Sequence, residues 1–369
     1  MRVRCVALPV RAQSIPPERI DPFIEAGVVR SIRISPTGQY YAVTARIDGQ
    51  TGIMVLRRTD LQVHASVRFQ RGTHVHDAWW VNDERLVMSL AETFGTRDDP
   101  VVTGELYGMD ADGGRKELLV GYRAVGPQTG SRIGVKKDGR LAAFLVDLLP
   151  DDDKHVLVSI RPFSKDPYSR IERMNVYDGR RTRIATAPVA QADFVTDSQG
   201  RVRFTVGSLS DNYSQLFHRK DDDSDWEPIN HERSSDRVEV PLGFAEDDAV
   251  AYLRVSQPTG PDRIVAFDTR TGERKDIAGD AVVDPRPVYL DGWKRPVGAW
   301  YLGATSRLAF FDEDSDEARL QHMLRRASPV RGRRCGRRRA TASCAWWRSR
   351  ATSTRARSTS STPRPGRRT

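Results

Sequence analysis

Ser31-Ile-Arg-Ile-Ser35-Pro-Thr-Gly38, continued by Tyr40-Tyr-Ala-Val-Thr44, Ile53-Met-Val-Leu56 and Asp60, sets a grammar that returns along the chain. Two short runs of β-branched, aromatic and aliphatic residues flank a turn. In that turn Pro36 presets φ and Gly38 supplies the backbone conformation that closes it. A third run then leads to an acidic residue. The unit reads as strand, turn, strand, loop, strand.

A second unit carries Ala78-Trp-Trp-Val81, Asn82-Asp83, Leu86-Val-Met-Ser89 and Glu105-Leu-Tyr-Gly-Met-Asp110-Ala-Asp-Gly113. A third has Val135-Lys-Lys-Asp138-Gly139, Leu141-Ala-Ala-Phe-Leu-Val146, Val156-Leu-Val-Ser-Ile160 and Val176-Tyr-Asp178-Gly179. The fourth has Asp193-Phe-Val-Thr-Asp197-Ser-Gln-Gly200, Val202-Arg-Phe-Thr-Val206 and Gln215-Leu-Phe217. Leu242-Gly-Phe244, Ala249-Val-Ala-Tyr-Leu253, Arg263-Ile-Val-Ala-Phe-Asp268 and Thr271-Gly272 make a fifth. Arg286-Pro-Val-Tyr-Leu-Asp291, Val297-Gly-Ala-Trp-Tyr301 and Leu308-Ala-Phe-Phe311 make a sixth. The spacing of about 40–50 residues is that of propeller blades, and helical periodicity is nearly absent between Val28 and Gln321. A four-stranded blade cannot bury both faces alone, so it stacks on its neighbours around an axis. A β-sandwich rarely sustains six similar units, and β-helix repeats are shorter. The expectation is an all-β fold: a β-propeller with six recognisable blades and the seventh lost, followed by a disordered Arg-rich tail.

Charge is unevenly spread. The chain has 369 residues and a net charge of +10. Fifteen Arg, with no Lys, Asp or Glu, lie in residues 325–369, which leaves 44 basic against 49 acidic residues in the body. A basic balance invites a nucleic-acid reading, but here it belongs to the tail alone. Arg331–Arg339 with Trp346-Trp347 could grip a single strand only non-specifically, so no nucleic-acid partner is expected.

That tail also reads as a message in the wrong frame. Joining the last base of each codon to the first two of the next, with free third bases chosen, turns Ala340–Gly366 into D-G-E-L-R-V-V-A-V-A-S-D-V-D-P-G-A-F-Y-L-F-D-T-A-T-G. This echoes Ile264-Val-Ala-Phe-Asp-Thr-Arg-Thr-Gly272. Arg326–Val330 gives a shifted S-F-P-G in the same way. A frame change between Asp316 and Arg326 is therefore expected, with the last blade interrupted after about Leu324.

Cys5, Cys335 and Cys344 lie outside the body, and no Cys/His spacing fits zinc or a disulfide framework. No apolar run reaches the roughly eighteen residues of a membrane span. Val10-Arg11-Ala12 before Gln13 has the small residues of a signal-peptidase site, behind an apolar region too short to work alone. Two readings fit: the stump of a signal peptide, implying a periplasmic or secreted protein, or an ordinary terminus. The expected organisation is a signal-peptide remnant over 1–12, a lead-in over 13–27, the propeller over 28–324 and the out-of-frame tail over 325–369.

Ile34-Ser-Pro-Thr-Gly-Gln-Tyr-Tyr-Ala-Val43, Trp79-Trp-Val-Asn-Asp-Glu-Arg-Leu-Val87, Gly104-Glu-Leu-Tyr-Gly-Met-Asp-Ala-Asp-Gly113 and Asp291-Gly292 form an ordered set. With the shifted D-P-G-A-F-Y-L-F-D, they make the chain resemble the N-terminal propeller of prolyl oligopeptidase-family serine peptidases, the bacterial dipeptidyl aminopeptidase/acylaminoacyl peptidase-like members in particular. The resemblance spans nearly all of Ile20–Gln321. It implies a propeller that caps an α/β-hydrolase domain, admits peptide substrates and excludes large folded ones. The implied Ser, Asp and His lie in that other domain. No G-x-S-x-G occurs here, so no catalytic residue is assigned and no peptidase activity is expected of the chain as written. No cofactor or metal is expected either, and nothing sets an oligomeric state. A TolB-like propeller acting by protein contact is the alternative.

Several residue types invite functional readings. His74, His76, His155, His218 and His231 are scattered and read as loop or surface histidines rather than catalysts. Asp151-Asp-Asp153 and Asp221-Asp-Asp223 resemble calcium ligands but lack EF-hand spacing, and read as solvated loop tips. Trp79-Trp80 fits core packing at a strand position better than a tunnel wall.

Overall fold

A computed structural model describes residues 29–95, 99–121, 141–164, 168–290 and 294–327. The signal-like start and lead-in (1–27), Val135–Gly139, Asp291-Gly292 and the tail from 328 lie outside them. The first sheet is β1 (Val29–Ile34), β2 (Tyr40–Ile47), β3 (Gln50–Arg57) and β4 (Val63–Val67), in that order. The second is β5 (Thr73–Trp80), β6 (Arg85–Glu92), β7 (Val101–Asp110) and β8 (Glu117–Val120). Both are antiparallel meanders.

The third sheet has seven strands: β9 (Leu141–Asp147), β10 (His155–Pro162), β11 (Tyr168–Asn175), β12 (Arg181–Thr196), β13 (Val202–Ser208), β14 (Ser214–His218) and β15 (Glu227–His231). After the one-turn α1 (Glu232–Ser235), a fourth sheet is built from β16 (Glu239–Phe244), β17 (Val250–Val255), β18 (Arg263–Asp268) and β19 (Arg274–Ala278). The last has β20 (Arg286–Leu290), β21 (Arg295–Leu302) and β22 (Ser306–Phe310), and is followed by α2 (Asp316–Ala327).

The sheets are arranged as a β-propeller, and period-2 alternation explains their stacking. Leu86 and Met88 of β6 pack toward the first sheet with Ile53, Val55 and Trp80, while Val87 between them packs toward Val156, Val158 and Ile160 of β10. Leu157 points the other way, to Val189 and Phe194. Phe204 and Leu216 meet Phe244, Leu253 and Phe267 of the fourth sheet. Ile264 then meets Ala299 and Tyr301 of the last. The second, third, fourth and last sheets are thus apolar on both faces, as a stacked blade must be.

The expectation of six separate blades needs correction. Four of the five sheets have the four or more strands of a blade, not six. The third and fourth sequence units are one hydrogen-bonded sheet because β12 runs sixteen residues without a turn. Its first part pairs with β11 and its last with β13, and the change of partner falls near Gln191. Gln191 takes φ +48° inside an irregular register, so the strand bends instead of stopping. The sixth unit forms only three strands among the described residues.

Helix α2 was not expected either. Ser315 caps it, its Oγ accepting from Ala318 N at 3.2 Å, and Asp316 and Glu317 complement the first turn. Ala318 packs on Val288, Leu308 and Phe310, covering the outer face of the last sheet.

Candidate functional site: the interlocked turns between sheets

Turns between neighbouring strands interlock from sheet to sheet: β1–β2 with β5–β6, β5–β6 with β9–β10, and β12–β13 with β16–β17. Thr37 N donates to Asp83 Oδ1 at 2.9 Å, joining the first sheet to the second. Asn82 Nδ2 donates to Asp153 O at 2.7 Å and to Tyr177 Oη at 2.9 Å, joining the second to the third. Ser198 N donates to Asp248 Oδ1 at 2.9 Å, joining the third to the fourth. Gly38 N→Ser35 O and Gly200 N→Asp197 O close equivalent turns. In the first of these Pro36 has no N–H, so the donor to the next sheet moves one residue on, to Thr37.

Beneath this face lies a clasp between the second and third sheets. Arg85, wholly buried, donates from Nε to Val176 O at 2.9 Å and from Nη1 to Asp110 Oδ1 at 2.9 Å and Arg115 O at 2.8 Å. Its guanidinium lies over the Tyr177 ring, 5.2 Å from the centroid. Asp110 also accepts from Arg115 Nε at 2.6 Å. Gly108 opposite leaves the volume Arg85 needs, since a Cβ there would stand 2.3 Å from Nη2. Thr37, Asn82, Asp83 and Arg85, which lie in the stretches Ile34–Val43 and Trp79–Val87, thus take part in locking sheet to sheet. Arg85 is the residue that sequence reading missed. Its signal was an arginine followed at once by Leu86-Val87-Met88, inside a buried strand.

A second polar cluster ties three sheets together. Asp147, at the end of β9, receives Lys294 Nζ at 2.8 Å and Thr196 Oγ1 at 2.5 Å on Oδ2, and Leu149 N at 2.9 Å on Oδ1. Lys294 Nζ also donates to Ser198 O at 3.2 Å. Arg295 reaches Glu246 of the fourth sheet's turn at 2.8 Å.

The histidines are dispersed, each with a local task. His74 is buried and accepts from Thr51 N at Nδ1 (3.2 Å), so the neutral ring carries its proton on Nε2 and donates to Thr93 Oγ1 at 2.9 Å. Burial first, then the charges of Arg46 and Arg30, lower its pKa. His76 is exposed on β5. His155 meets Asp152 at 3.0 Å, and Asp152 also pairs with Arg173. Burial works against the Asp152 charge, but hydrogen bonds from Arg173, Lys154 N and His155 outweigh it and hold the carboxyl well below its usual range. His218 is buried, 4.7 Å from the Phe204 ring and 5.8 Å from Phe267. Burial, then Arg203 and Lys220, push its pKa down to about 4. His231 caps α1, accepting from Arg233 N. Two of the five, His74 and His218, are buried rather than at the surface.

Neither aspartate run gathers into a ligand set. Asp153 contributes its backbone carbonyl to Asn82, Asp222 pairs with Arg219 at 2.5 Å, and Asp221 accepts from Ser224 Oγ at 2.6 Å. Among the described residues no group of three His, Cys, Asp or Glu could hold a metal ion, and no helix is long and apolar enough to cross a membrane. Trp79 and Trp80 are both buried. Trp80 donates to Arg33 O at 3.2 Å within the core between the first two sheets, and Arg33 lies 5.7 Å over Trp79. On the interlocked face the Ser198 hydroxyl is held by the carboxylate of Asp248. This arrangement is built to fix blades and present turns.

Fold and face together define a β-propeller whose blades are stacked by apolar faces and pinned by polar turns. No family model matches the sequence, and no curated protein matches it. Solved structures are similar in fold. A prolyl endopeptidase superposes with a TM-score of 0.51 at 12% identity, over 76% of this chain and 40% of that one. An acylaminoacyl peptidase gives 0.41 at 13% identity, over 80% and 46%. TolB from Acinetobacter baumannii gives 0.39 at 11% identity, over 69% and 55%. The chain thus spans less than half the length of the two peptidases.

Proposed function

We propose that this chain is the substrate-gating propeller of an exported serine peptidase of the prolyl oligopeptidase type, whose α/β-hydrolase part is encoded beyond the frame change. The observation that carries this is the superposition on a prolyl endopeptidase over 76% of the chain but only 40% of that protein. The motif set supports it, because residues within it take part in locking sheet to sheet. In α2, Ala318 and Gln321 are buried, while Leu324, three residues further on the same side, is 40% exposed. Such a loss of burial suits residues past a change of frame.

On this reading the chain performs no peptide-bond chemistry. It holds a ring of blades over a catalytic domain and limits access by size. Reading the coding DNA from codon 310 onward in every frame tests it. The expected result is the remainder of a blade and then a hydrolase domain with a nucleophile elbow. A stop codon soon after the blade would overturn it in favour of a self-sufficient binding propeller. Purified chain should not cleave dipeptidyl or acylaminoacyl chromogenic substrates. Cleavage blocked by a serine-directed reagent would also overturn it.

A further inference from the structure

The last sheet is held differently from the others. The core joining the first and second sheets contains eleven buried residues, and that joining the second and third also eleven. The core joining the fourth and last contains three fully buried residues, Ile264, Ala299 and Tyr301, within a rim of partly buried ones such as Tyr252 and Phe311. Among the described residues no core cluster joins the last sheet to the first. Among the described residues its opposite face is covered by α2, from its own end of the chain. With fewer fully buried residues, this sheet gains less of the non-directional apolar stabilisation that fixes its neighbours.

Polar contacts fill that role. Lys294 stands one residue before β21, yet its ammonium ends on Asp147 of β9 and the carbonyl of Ser198 after β12, so it reaches past the fourth sheet to the third. The pair is well shielded, with side chains 20% and 2% exposed, and both Asp147 oxygens are satisfied. The backbone approach is equally close. Gly243 of β16 has φ +144°, and a Cβ there would fall 2.4 Å from Lys294 O and 2.7 Å from Pro296 Cδ.

We infer that Lys294–Asp147 is a latch: it sets the position of a terminal unit, β20–β22 with α2, that opens as one body when the pair is broken. The inference rests on contacts within this chain and is independent of the peptidase reading. A buried ion pair that loses one partner leaves an uncompensated charge, and the unit with least other anchorage gives way first.

Hydrogen exchange on the full chain tests it, with Lys294→Met and Asp147→Asn as separate variants. Arg319→Met serves as comparator, because Arg319–Asp316 is an exposed pair on α2. Amides of β21, β22 and α2 should exchange roughly 10- to 100-fold faster in both variants, with those of β2, β3 and β6 unchanged and the comparator like wild type. Unchanged protection of the last sheet in both variants would overturn the latch. Equal acceleration across all sheets would overturn it too, since Lys294–Asp147 would then be an ordinary part of the common core.

Discussion

Replacing Arg85 with Met removes the centre of the clasp between the second and third sheets while keeping most of the apolar stem. Two backbone carbonyls, Val176 O and Arg115 O, lose a buried donor, at a cost of about 1–3 kcal/mol each. Asp110 loses its buried counter-charge, a change worth about 3–5 kcal/mol when nothing else compensates. Arg115 still holds the other oxygen from a largely exposed position, so the charge is partly compensated. Methionine also fills the space beside Gly108. The expected net loss is about 4 kcal/mol, read as a lower urea midpoint at unchanged slope. Asp110→Asn should cost less, and the double variant less than the sum, with a coupling above about 1 kcal/mol. Arg115→Met should leave the midpoint close to wild type. A loss below about 1 kcal/mol for Arg85→Met, or strict additivity with Asp110→Asn, would refute the clasp.

His218 should make the fold acid-sensitive. The unfolded chain binds its proton near pH 6.5 and the folded chain near 4, so stability falls as pH drops through that window, by about 3 kcal/mol in all. His218→Phe should flatten that part of the pH–stability curve, and an identical slope in the variant would exclude the histidine as its source. Gly243→Ala forces a Cβ against the backbone of Lys294 and should cost at least about 2 kcal/mol; a thermal midpoint equal to wild type would show that the approach is not fixed. Trp80→Phe keeps the stacking against Tyr40, 6.2 Å away, but deletes the donor to Arg33 O. A loss of about 1–3 kcal/mol is expected in urea unfolding, and no loss would mean that the carbonyl finds another partner.

The strands were legible because burial on both faces leaves an unmistakable composition. Val156–Val158 and Leu86–Met88 are continuous apolar runs, and each lies in an inner strand of its sheet. The turns were legible for the same local reason, since Pro36 and Gly38 have few other conformations to offer. What failed was counting. Strand β12 itself, Arg181–Thr196, contains Pro188 and Gln191 but no Asp-Gly or Asn-Gly pair, so nothing local marks where one sequence unit hands over to the next, and β12 serves both. Helix α2 was missed because its buried side is small, Ala318 and Gln321, and no apolar stripe announces it. The two buried histidines read as surface residues because burial depends on neighbours distant in sequence: Phe267 covers His218 from the fourth sheet, and Thr51 reaches His74 from the first.

The clasps were invisible for a deeper reason. Apolar faces bring blades together but say little about their angle, because apolar attraction has no preferred direction. A stack held by such faces alone could slide. Hydrogen bonds and ion pairs are directional, and here they sit at the turns, where a small displacement changes the distance most. Thr37–Asp83, Asn82–Asp153 and Ser198–Asp248 repeat the same solution with different residues. A carbonyl can replace a carboxylate and the donor can move by one position, so the sequence shows no fixed pattern for it. Where the apolar core is smallest, at the last sheet, the polar tie is the most buried of these turn contacts, Lys294 on Asp147. The angle of each blade is set by these few directional contacts rather than by the apolar faces that bring the blades together.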